Sequence, residues 1–307
     1  MKLLAIIGPT ATGKSELAVL AAQRLNGEII SCDSMQIYRG LDIGTGKLPR
    51  ESRRHIPHHM LDIIEVGDEY SVAQYASDTK AIITAMNKQK RLPVLAGGSG
   101  LFYQAVVDDY FFFPMEKKAR LRLKWSYIIK EKGLDHAYKK LVEIDPLYAS
   151  IISHTDQKRI IRALEVFELT GEAFSKQQNK KDNVYDLVAV GLEMERSQLY
   201  EKIDRRIDQM FSSGLLEEAT SFLKAGFDLG NNAMQALGYK QIWHYWKGLT
   251  TYDGMVKAIK KETRNYAKRQ MTWFKKDRRI RWLKVLDSDN VEDVYEKFYY
   301  IWKDKNK

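Results

Sequence analysis

The sequence predicts an α/β protein, in which helices flank a parallel sheet and an all-helical domain is inserted into the chain. Up to about residue 110, short apolar runs alternate with amphipathic stretches, which is the pattern of a parallel sheet. From about residue 115 to 182 there is no good strand, and the charged and apolar spacing indicates helices. The apolar run Leu187–Leu192 then returns the chain to the sheet.

Four apolar runs predict the strands, at Leu3–Ile7, Glu28–Cys32, Pro93–Ala96 and Leu187–Leu192. Amphipathic stretches predict helices at Ser15–Leu25, Val72–Lys88 and Leu216–Leu223, and the spacing of Leu199, Ile203, Ile207 and Phe211 predicts another. We therefore expect a first part of the core at residues 1–114, a helical insertion at 115–184, and the rest of the core with basic C-terminal helices at 185–307.

Composition excludes several classes of protein. The 307 residues are 44% hydrophobic and 29% charged, which excludes a disordered chain, a collagen-like repeat and a coiled-coil rod. The one cysteine, Cys32, excludes an intramolecular disulfide and a cysteine-cluster zinc site, and favours a reducing, cytoplasmic location. No apolar run approaches the roughly 20 residues of a membrane span, and no zipper or apolar patch is evident, so we expect a monomer without a membrane partner.

The excess positive charge is concentrated in one stretch. Between Lys257 and Lys284 there are 12 basic and 2 acidic residues, which accounts for the whole formal net charge of +10. Such clustering favours a polyanionic partner, nucleic acid first, although a solvated helix face is an equal alternative. The aromatic residues Tyr266, Trp273, Phe274 and Trp282 lie within this stretch, and we expect them to be core residues.

A phosphate-binding loop follows the first strand. Gly8-Pro9-Thr10-Ala11-Thr12-Gly13-Lys14-Ser15 fits the pattern G-x-x-x-x-G-K-[ST] and opens an amphipathic helix. The loop and helix N-terminus supply N–H donors to phosphate oxygens, Lys14 adds a positive charge, and Ser15 is a candidate Mg²⁺ ligand. The motif indicates a P-loop NTPase-like (kinase-like) fold and a polyphosphate or pyrophosphate ligand, without specifying ATP.

Asp33 follows the second strand, so it should lie near this loop, because ligands bind at the carboxyl ends of parallel strands. It is a candidate Mg²⁺ ligand or general base; a turn or helix-capping aspartate is the alternative. In the following segment, Arg39 and Lys47 are candidates to reach phosphate or else are solvent-exposed. The pair His58-His59 with Asp62 fits no structural zinc pattern, so a packed or hydrogen-bonded pair is favoured.

A second glycine-rich loop, Gly97-Gly98-Ser99-Gly100, follows the third predicted strand. Two such loops at one sheet edge are stronger evidence of a ligand site than either alone. The hydroxyl of Ser99 is suited to hydrogen-bond a polar group of the substrate, and a helix cap is the alternative.

Together these motifs resemble the tRNA dimethylallyltransferase (tRNA isopentenyltransferase) family along almost the whole chain. The resemblance is carried by seven ordered blocks: GPTATGKS (8–15), DSMQIYRGLDIGTGK (33–47), HHMLD (58–62), GGSGLF (97–102), DQKRIIRALEV (156–166), LGYKQ (237–241) and TRNYAKRQMTWF (263–274). At positions 46, 48, 99 and 102 this chain has Gly, Leu, Ser and Phe where the family usually has Ala, Pro, Thr and Tyr. A hydroxyl is thus kept at Ser99, whereas an essential phenol at Phe102 is excluded.

The resemblance implies that the dimethylallyl group of dimethylallyl diphosphate moves to N6 of the adenosine 3′-adjacent to the anticodon, in tRNAs that read codons beginning with U. Pyrophosphate leaves, held by the phosphate-binding loop and by Mg²⁺ with Ser15 and Asp33 as protein ligands. Asp33 and Ser99 are the implied catalytic residues. The implied tRNA contacts are Asp33, Ser34, Met35, Gln36, Ser99, Gln157, Lys158, Arg159, Ile160, Ile161 and Arg122, with Arg120 as the rival for the last.

Three other functions compete with this one. A P-loop kinase that uses ATP on a small molecule would share the phosphate-binding loop and Asp33, but does not explain the basic stretch or the helical insertion. A non-enzymatic RNA-binding or switch protein does not explain Asp33 and Ser99 beside the loop. Prenylation of a free adenine nucleotide does not require so large a basic surface.

Further basic residues are candidates for binding the substrates. Lys158, Arg159 and Arg162 are suited to bind the anticodon loop, and for Arg162 an ion pair with Glu165 or Glu168 is equally favoured. Arg264 and Arg269 are further candidates to approach the diphosphate.

Overall fold

The computed structural model describes residues 1–108, 115–176 and 184–305, with the backbone alone for 115–119. The chain divides into two compact units, one formed by residues 1–107 and 183–307 and the other by 108–182. The expected domain boundaries after residues 114 and 184 fall at or beside gaps in the described ranges, so these boundaries stay predictions.

The first unit is built on a parallel sheet of six strands in the order β3-β2-β4-β1-β5-β6. The strands are β1 (Lys2–Ile7), β2 (Gly27–Ser31), β3 (His58–His59), β4 (Leu92–Gly97), β5 (Asp186–Glu193) and β6 (Ile280–Lys284). Its helices are α1 (Lys14–Arg24), α2 (Val72–Lys88) and α3 (Gly100–Val107), then α8 (Arg196–Ser212), α9 (Leu215–Lys224), α10 (Tyr239–Trp246), α11 (Tyr252–Phe274) and α12 (Val291–Lys305).

Both faces of this sheet are buried. Successive residues of β1 enter two separate apolar clusters, with Leu3 and Ile7 in one and Leu4 and Ile6 in the other. A strand covered on both faces reads as a continuous apolar run, which is why the sequence reveals β1 so clearly. The parallel sheet, the phosphate-binding loop after β1 and the helices on both faces confirm the predicted P-loop NTPase-like fold class.

Register places the ligand-binding motifs at one edge of the sheet. Ile7 pairs with Gly97 of β4 and with Gly191 of β5, so β1 and β4 end side by side and β5 continues two residues further. The phosphate-binding loop and the second glycine loop therefore leave the sheet next to each other. β2, which pairs with β4 up to Ser31, brings Asp33 to the same edge.

The end of the basic stretch differs from the expected helix, because residues 280–284 form the edge strand β6, paired with β5. Ile280 and Leu283 are buried, whereas Arg281 and Lys284 are exposed. Only two side chains of this short strand are fully covered, with Trp282 partly buried against the core, and the charged residues between them hide the strand in the sequence. Of the aromatic residues in the stretch, Phe274 is fully buried, as expected, and the other three are partly buried.

Helices are the only regular elements in the described residues of the second unit. It contains α4 (Met115–Lys132), α5 (Leu134–Ile144), α6 (Pro146–Ile151) and α7 (Gln157–Thr170). These helices enclose a separate apolar core that includes Trp125, Leu141, Ile160 and Leu164. The buried Asp145 caps α6 at the N–H of Tyr148, at 3.0 Å, and also accepts the backbone N–H of Ser175, at 2.8 Å.

No helix in the described part of either unit combines the length and the apolar character that crossing a membrane requires.

Candidate active site

The phosphate-binding loop is shaped by backbone conformations that favour glycine. Gly8 has φ +137°, and a Cβ there would lie 2.6 Å from the carbonyl oxygen of Leu192. Gly13, with φ +84°, turns the chain into α1. Inside the loop, the hydroxyl of Thr12 donates to the carbonyl of Pro9 at 2.9 Å. The loop is therefore fixed in shape before any ligand arrives, with the N-terminus of α1 at its end.

Gln270 of α11 joins the two glycine loops. Its side-chain oxygen accepts the N–H of Thr10 at 2.9 Å, and its amide donates to the carbonyl of Gly98 at 2.9 Å. A Cβ at Gly98 would lie 2.1 Å from this amide nitrogen, so glycine is required for the contact. Gln270 is not singled out in the sequence, but it lies in one of the blocks that carry the family resemblance.

Lys14 is the cation of the loop, and its amine donates to the carbonyl of Pro9. Burial lowers the pKa of Lys14 to about 8, and the positive charge of Arg206 acts in the same direction. The negative charges of Asp33 and Glu16 oppose this shift. A lysine held in this way gains from an arriving anion, which replaces the solvation that burial has removed.

Asp33 lies at the same edge of the sheet, two residues after β2 ends. Its Oδ1 accepts the N–H of Met35 at 2.9 Å. Burial raises the pKa of the Asp33 carboxyl above its ordinary value, although this hydrogen bond and the charges of Lys14 and Arg206 lower it. A carboxylate with a raised pKa is a better proton acceptor than an exposed aspartate, which suits a general base.

Arg206 is the second cation of the site and is not recognisable from the sequence. It lies on α8, its pKa is lowered by burial, and the charges of Glu16 and Asp33 oppose that shift. One of its terminal nitrogens donates to the carbonyl of Gly46 at 3.3 Å. A Cβ at Gly46 would lie 1.8 Å from that nitrogen, so a larger residue here would displace the end of the Arg206 side chain. In the sequence, Arg206 is one charge among many on an amphipathic helix.

Ser99 meets the segment that follows β2. Its hydroxyl accepts the N–H of Ser34 at 3.1 Å, and its own N–H donates to the carbonyl of Cys32 at 3.0 Å. Tyr266 of α11 reaches the same place: burial and the charge of Asp33 raise its pKa, while the neighbouring side chains of Ser99 and Gln270 lower it. The structure thus brings Asp33 and Ser99 together, and adds a phenol that the sequence suggests only as a core residue.

Four basic residues considered for phosphate binding have other partners. Lys47 is buried and forms ion pairs with Asp42 and Asp62, so it fixes its own loop. Arg39 pairs with Glu65 on the surface. Arg264 pairs with Asp204 at 2.6 Å, and the guanidinium of Arg269 lies over the ring of Tyr266, 5.8 Å from its centre.

The histidine pair is hydrogen-bonded, as favoured from the sequence. Nε2 of His59 lies 2.7 Å from a carboxylate oxygen of Glu28, and Nδ1 of His58 lies 2.7 Å from the carbonyl of Ile56. Among the described residues, no group of three or more His, Cys, Asp or Glu side chains is arranged to hold a metal ion.

In the helical unit, the residues considered for tRNA contact divide by exposure. Gln157, Lys158 and Arg159 form the exposed first turn of α7, which Asp156 caps. Ile160 and Ile161 are buried in the core of this unit, so a surface role does not fit their side chains. The block in the sequence crosses from the exposed end of the helix to its buried face, which its residue types alone do not separate.

Arg122 and Arg162 converge on the fully buried carboxylate of Glu165. Nε of Arg122 donates to its Oε1 at 3.0 Å, and Arg162 lies 3.5 Å from its Oε2. For Arg162, the ion pair with Glu165 considered from the sequence is therefore present. About 62% of the Arg122 side chain is exposed, which leaves its terminal nitrogens available to a ligand.

The chain is similar to several known proteins over most of its length. A family model described as IPP transferase matches residues 36–277. The chain is 52% identical to the tRNA dimethylallyltransferase of Syntrophomonas wolfei over 291 residues, 95% of this chain and 94% of that protein. It superposes with a TM-score of 0.74 on the tRNA isopentenylpyrophosphate transferase of Bacillus halodurans, at 37% identity over 99% and 98% of the two chains. A eukaryotic dimethylallyltransferase solved acting on tRNA gives a TM-score of 0.81 at 25% identity, over 97% of this chain and 77% of that one.

Proposed function

The chain belongs to the IPP transferase family, and we propose that it transfers the dimethylallyl group of dimethylallyl diphosphate to N6 of the adenosine 3′-adjacent to the anticodon. The substrates are tRNAs that read codons beginning with U. Its relatives are named for this transfer, and two solved relatives are tRNA-modifying transferases. We further propose that it acts as a monomer, and in the cytoplasm, where its one cysteine, which is buried, would stay reduced.

The observation that carries this proposal is the grouping of Lys14, Arg206 and Asp33 beside the phosphate-binding loop. Two partly buried cations and a row of backbone N–H groups suit the charge that grows on a departing diphosphate. A neighbouring carboxylate with a raised pKa suits the removal of a proton. Both requirements belong to one reaction, in which an amine replaces a diphosphate on an allylic carbon.

The transfer breaks one bond at the allylic carbon and forms another. The bond from the allylic carbon to the diphosphate oxygen breaks, and its electron pair leaves with pyrophosphate. The N6 nitrogen of adenine forms the new bond to that carbon and gives a proton to the carboxylate of Asp33. Since the N6 lone pair is delocalised into the ring, positioning of the amine and removal of its proton are the expected sources of catalysis. Ser99, which lies against the Asp33–Ser34 segment, would orient the amine.

Mg²⁺ fits the same edge of the sheet. Ser15 and Asp33 offer the hard oxygen ligands that this ion prefers, and it is usually held by one or two such groups together with substrate phosphates. This mode explains why the described residues need no three-ligand cluster of their own. When bound, the ion would neutralise charge on the diphosphate.

Each unit offers its own candidates for contact with tRNA. In the helical unit, the exposed end of α7 at Gln157–Arg159 and the free nitrogens of Arg122 are suited to phosphates and unstacked bases. In the sheet unit, Ser34, Met35 and Gln36 follow Asp33 and are partly exposed. The target base must leave its stack to reach the carboxylate, which costs a few kcal/mol and less in a loop than in a duplex.

The transfer is tested with radiolabelled dimethylallyl diphosphate, Mg²⁺ and tRNA, in the absence of ATP. We expect label on acid-precipitable tRNA, and none when the adenosine 3′ of the anticodon is replaced by guanosine. ATP-dependent phosphorylation of a nucleoside without label on tRNA would favour the P-loop kinase instead. Label on free AMP as efficient as on tRNA would favour prenylation of a nucleotide.

The role of Arg206 is tested with Arg206→Ala. Removal of this partly buried cation next to the diphosphate should raise the KM for dimethylallyl diphosphate by about 10- to 100-fold, since hydrogen bonds to charged groups contribute about 1.5–3 kcal/mol. The matched control is Arg205→Ala. In the wild-type protein, the guanidinium of Arg205 pairs with Asp287 on the surface at 3.1 Å. Equal effects of the two variants on KM would remove Arg206 from the site.

A further inference from the structure

We propose that Glu218 and Tyr239 are positioning residues for the diphosphate site, because they hold the loop Asp42–Gly46 on which Arg206 rests. We call Glu218 and Tyr239 together the brace. The inference rests on the proposed function, since it assigns to the brace the task of presenting Arg206 to the diphosphate.

Glu218 of α9 binds three consecutive backbone N–H groups of the loop. Its Oε2 accepts from Asp42 at 3.0 Å and from Ile43 at 2.8 Å, and its Oε1 accepts from Gly44 at 3.0 Å. Hydrogen bonds to an ionised acceptor are about twice as strong as neutral ones, and three on one carboxylate fix the backbone they share. The conformation of this loop is thus set by a side chain more than 170 residues away in the chain.

Tyr239, the first residue of α10, completes the brace. Its hydroxyl donates to Oε1 of Glu218, and its side chain is fully buried. A Cβ at Gly44 would lie 2.5 Å from its ring, so the loop lies directly on the aromatic face. Burial and the charge of Glu218 raise the pKa of Tyr239, so the phenol stays a donor at any pH the protein tolerates.

The braced loop carries groups of the active site. The carbonyl of Gly46 accepts from Arg206 at 3.3 Å, and the carbonyl of Thr45 accepts from the side-chain amide of Gln36 at 3.2 Å. The N–H of Gly46 donates to the carbonyl of Ile43 at 2.9 Å, so these carbonyls turn with the residues that Glu218 holds. A change at Glu218 should therefore reach the diphosphate through Arg206 without any direct contact.

The same contact gives a role to the second half of one motif and to another motif, neither of which takes part in the proposed chemistry. The loop belongs to the block 33–47, and Tyr239 belongs to the block 237–241. They are far apart in the chain, and neither contains the cations that would bind the diphosphate. Their meeting at Glu218 gives both a role in the same site.

The test compares Glu218→Gln and Tyr239→Phe with a control on the same helix, Glu217→Gln. Glutamine keeps the size of Glu218 but loses its charge and turns an NH₂ group toward backbone donors. The control residue is the exposed neighbour of Glu218, with no side-chain hydrogen bond or ion pair in the described structure. The dissociation constant of dimethylallyl diphosphate is measured by calorimetry without tRNA, and KM and kcat are measured with tRNA.

We expect Glu218→Gln to raise the dissociation constant and the KM for dimethylallyl diphosphate about tenfold, with a smaller change in kcat and in the KM for tRNA. Tyr239→Phe, which removes one hydrogen-bond donor, should raise the dissociation constant and the KM for dimethylallyl diphosphate about two- to fourfold. Glu217→Gln should match the wild type. Since Tyr239→Phe leaves the buried ring in place, it carries the test if Glu218→Gln does not fold.

Action through Arg206 is tested by repeating Tyr239→Phe and Glu218→Gln in the Arg206→Ala background, where both should have almost no further effect on diphosphate binding. Equal factors in the two backgrounds would overturn the proposal, as would wild-type affinity in both single variants. Failure of the proposed function has a different signature, because the wild-type protein itself would then leave tRNA unlabelled. In that case calorimetry with inorganic pyrophosphate still decides whether the brace controls the anion site.

Discussion

At the scale of single residues, Asp33 is the group on which the proposed proton transfer depends. Asp33→Asn keeps the size of the side chain and its hydrogen bond to the N–H of Met35, but cannot take a proton from N6. We expect kcat to fall by about 10²- to 10⁴-fold, the usual contribution of general acid–base catalysis, with tRNA affinity nearly unchanged. Single-turnover transfer and filter binding measure the two quantities.

The matched control for Asp33 is Asp186→Asn. Asp186 is exposed at the start of β5, which is the opposite end of the sheet from the phosphate-binding loop. This variant should keep wild-type transfer and binding. A parallel loss of tRNA binding and turnover in Asp33→Asn would assign Asp33 to the grip on tRNA rather than to the chemistry.

Lys14 gives the site a pH dependence whose direction follows from burial. Its pKa is lowered to about 8 in the ligand-free protein, and a bound anion must raise it. Binding therefore takes up a proton above this pKa, so the affinity for dimethylallyl diphosphate should be constant below pH 8. It should fall by up to tenfold per pH unit above pH 8. The terminal phosphate ionises near pH 6, so the ligand itself does not change charge in this range.

Calorimetric titration of dimethylallyl diphosphate between pH 7 and about 9.5 measures this profile. Lys14→Arg is the control, because arginine stays protonated throughout and should give a weaker but flat profile. A flat profile in the wild type, or the same slope in both proteins, would show that the ionisation of Lys14 does not govern binding.

At the scale of elements, α7 has an exposed N-terminal end and a buried face. On that buried face, Glu165 forms ion pairs with two arginines. The carboxylate of Glu165 is completely buried between Arg122 and Arg162. Burial also lowers the pKa of Arg162, and the charge of Glu165 opposes that shift. Removal of one partner of such a group leaves charge uncompensated, which costs several kcal/mol, whereas exposed pairs contribute about 0–1 kcal/mol.

Glu165→Gln should therefore release both arginines and weaken tRNA binding, with a rise of about tenfold in the KM for tRNA. The dissociation constant of dimethylallyl diphosphate should stay at the wild-type value, because that ligand is assigned to residues of the sheet unit. The control is Glu168→Gln, which breaks the more exposed pair with Lys124 and should have little effect on either quantity. An unchanged KM for tRNA, or a loss of both affinities in Glu165→Gln, would contradict this division of roles.

The elements that the sequence predicts best are those with one dominant physical cause. The strands β1, β2, β4 and β5 lie within one residue of the predicted bounds, because strands buried on both faces are continuous apolar runs. The sequence does not predict β6, because charged residues lie between its apolar ones. Gly8–Ser15 is recognisable because its conformation demands particular residues.

The residues of the site that the sequence does not reveal lie on long helices of the sheet unit. Arg206 and Gln270 lie on α8 and α11, where their spacing shows which face each side chain occupies but not what that face meets. Ile160 and Ile161 show the converse, since residues in a block that suggests tRNA contact are buried in the core. Only the tertiary fold brings such residues to the phosphate-binding loop or removes them from the surface.

At the scale of the whole molecule, the basic stretch divides into cations that are paired and cations that are not. Lys260, Arg264 and Arg281 form ion pairs with Asp208, Asp204 and Asp304, respectively. Three exposed lysines on α11 have no ion pair in the described structure, namely Lys257, Lys261 and Lys268, and we call them the lysine stripe. At about 100° of rotation per residue, Lys261 and Lys268 lie on the side of α11 opposite Gln270. The stripe therefore points away from the phosphate-binding loop and is free to act on a polyanion without affecting the diphosphate.

Replacement of the lysine stripe by glutamine should weaken tRNA binding and reduce its salt dependence, without a change in the affinity for dimethylallyl diphosphate. Each phosphate neutralised by a protein cation contributes about −0.7 to −0.9 to the slope of log K against log salt. If all three lysines meet tRNA phosphates, the magnitude of the slope should drop by about 2 to 3. The measurement is the association constant for tRNA from about 50 to 200 mM salt.

The control changes net charge equally at another place, with glutamine at Lys2, Lys88 and Lys90. These residues lie at the opposite end of the sheet from the phosphate-binding loop, at the start of β1, the end of α2 and just before β4. A similar reduction in both triple variants would mean that overall charge attracts tRNA from a distance, since steering depends on the summed field. A slope in the lysine-stripe variant equal to that of the wild type would identify the stripe as a solvated helix face. Only a loss confined to the lysine stripe would extend the tRNA-binding surface beyond the residues around Asp33 and α7.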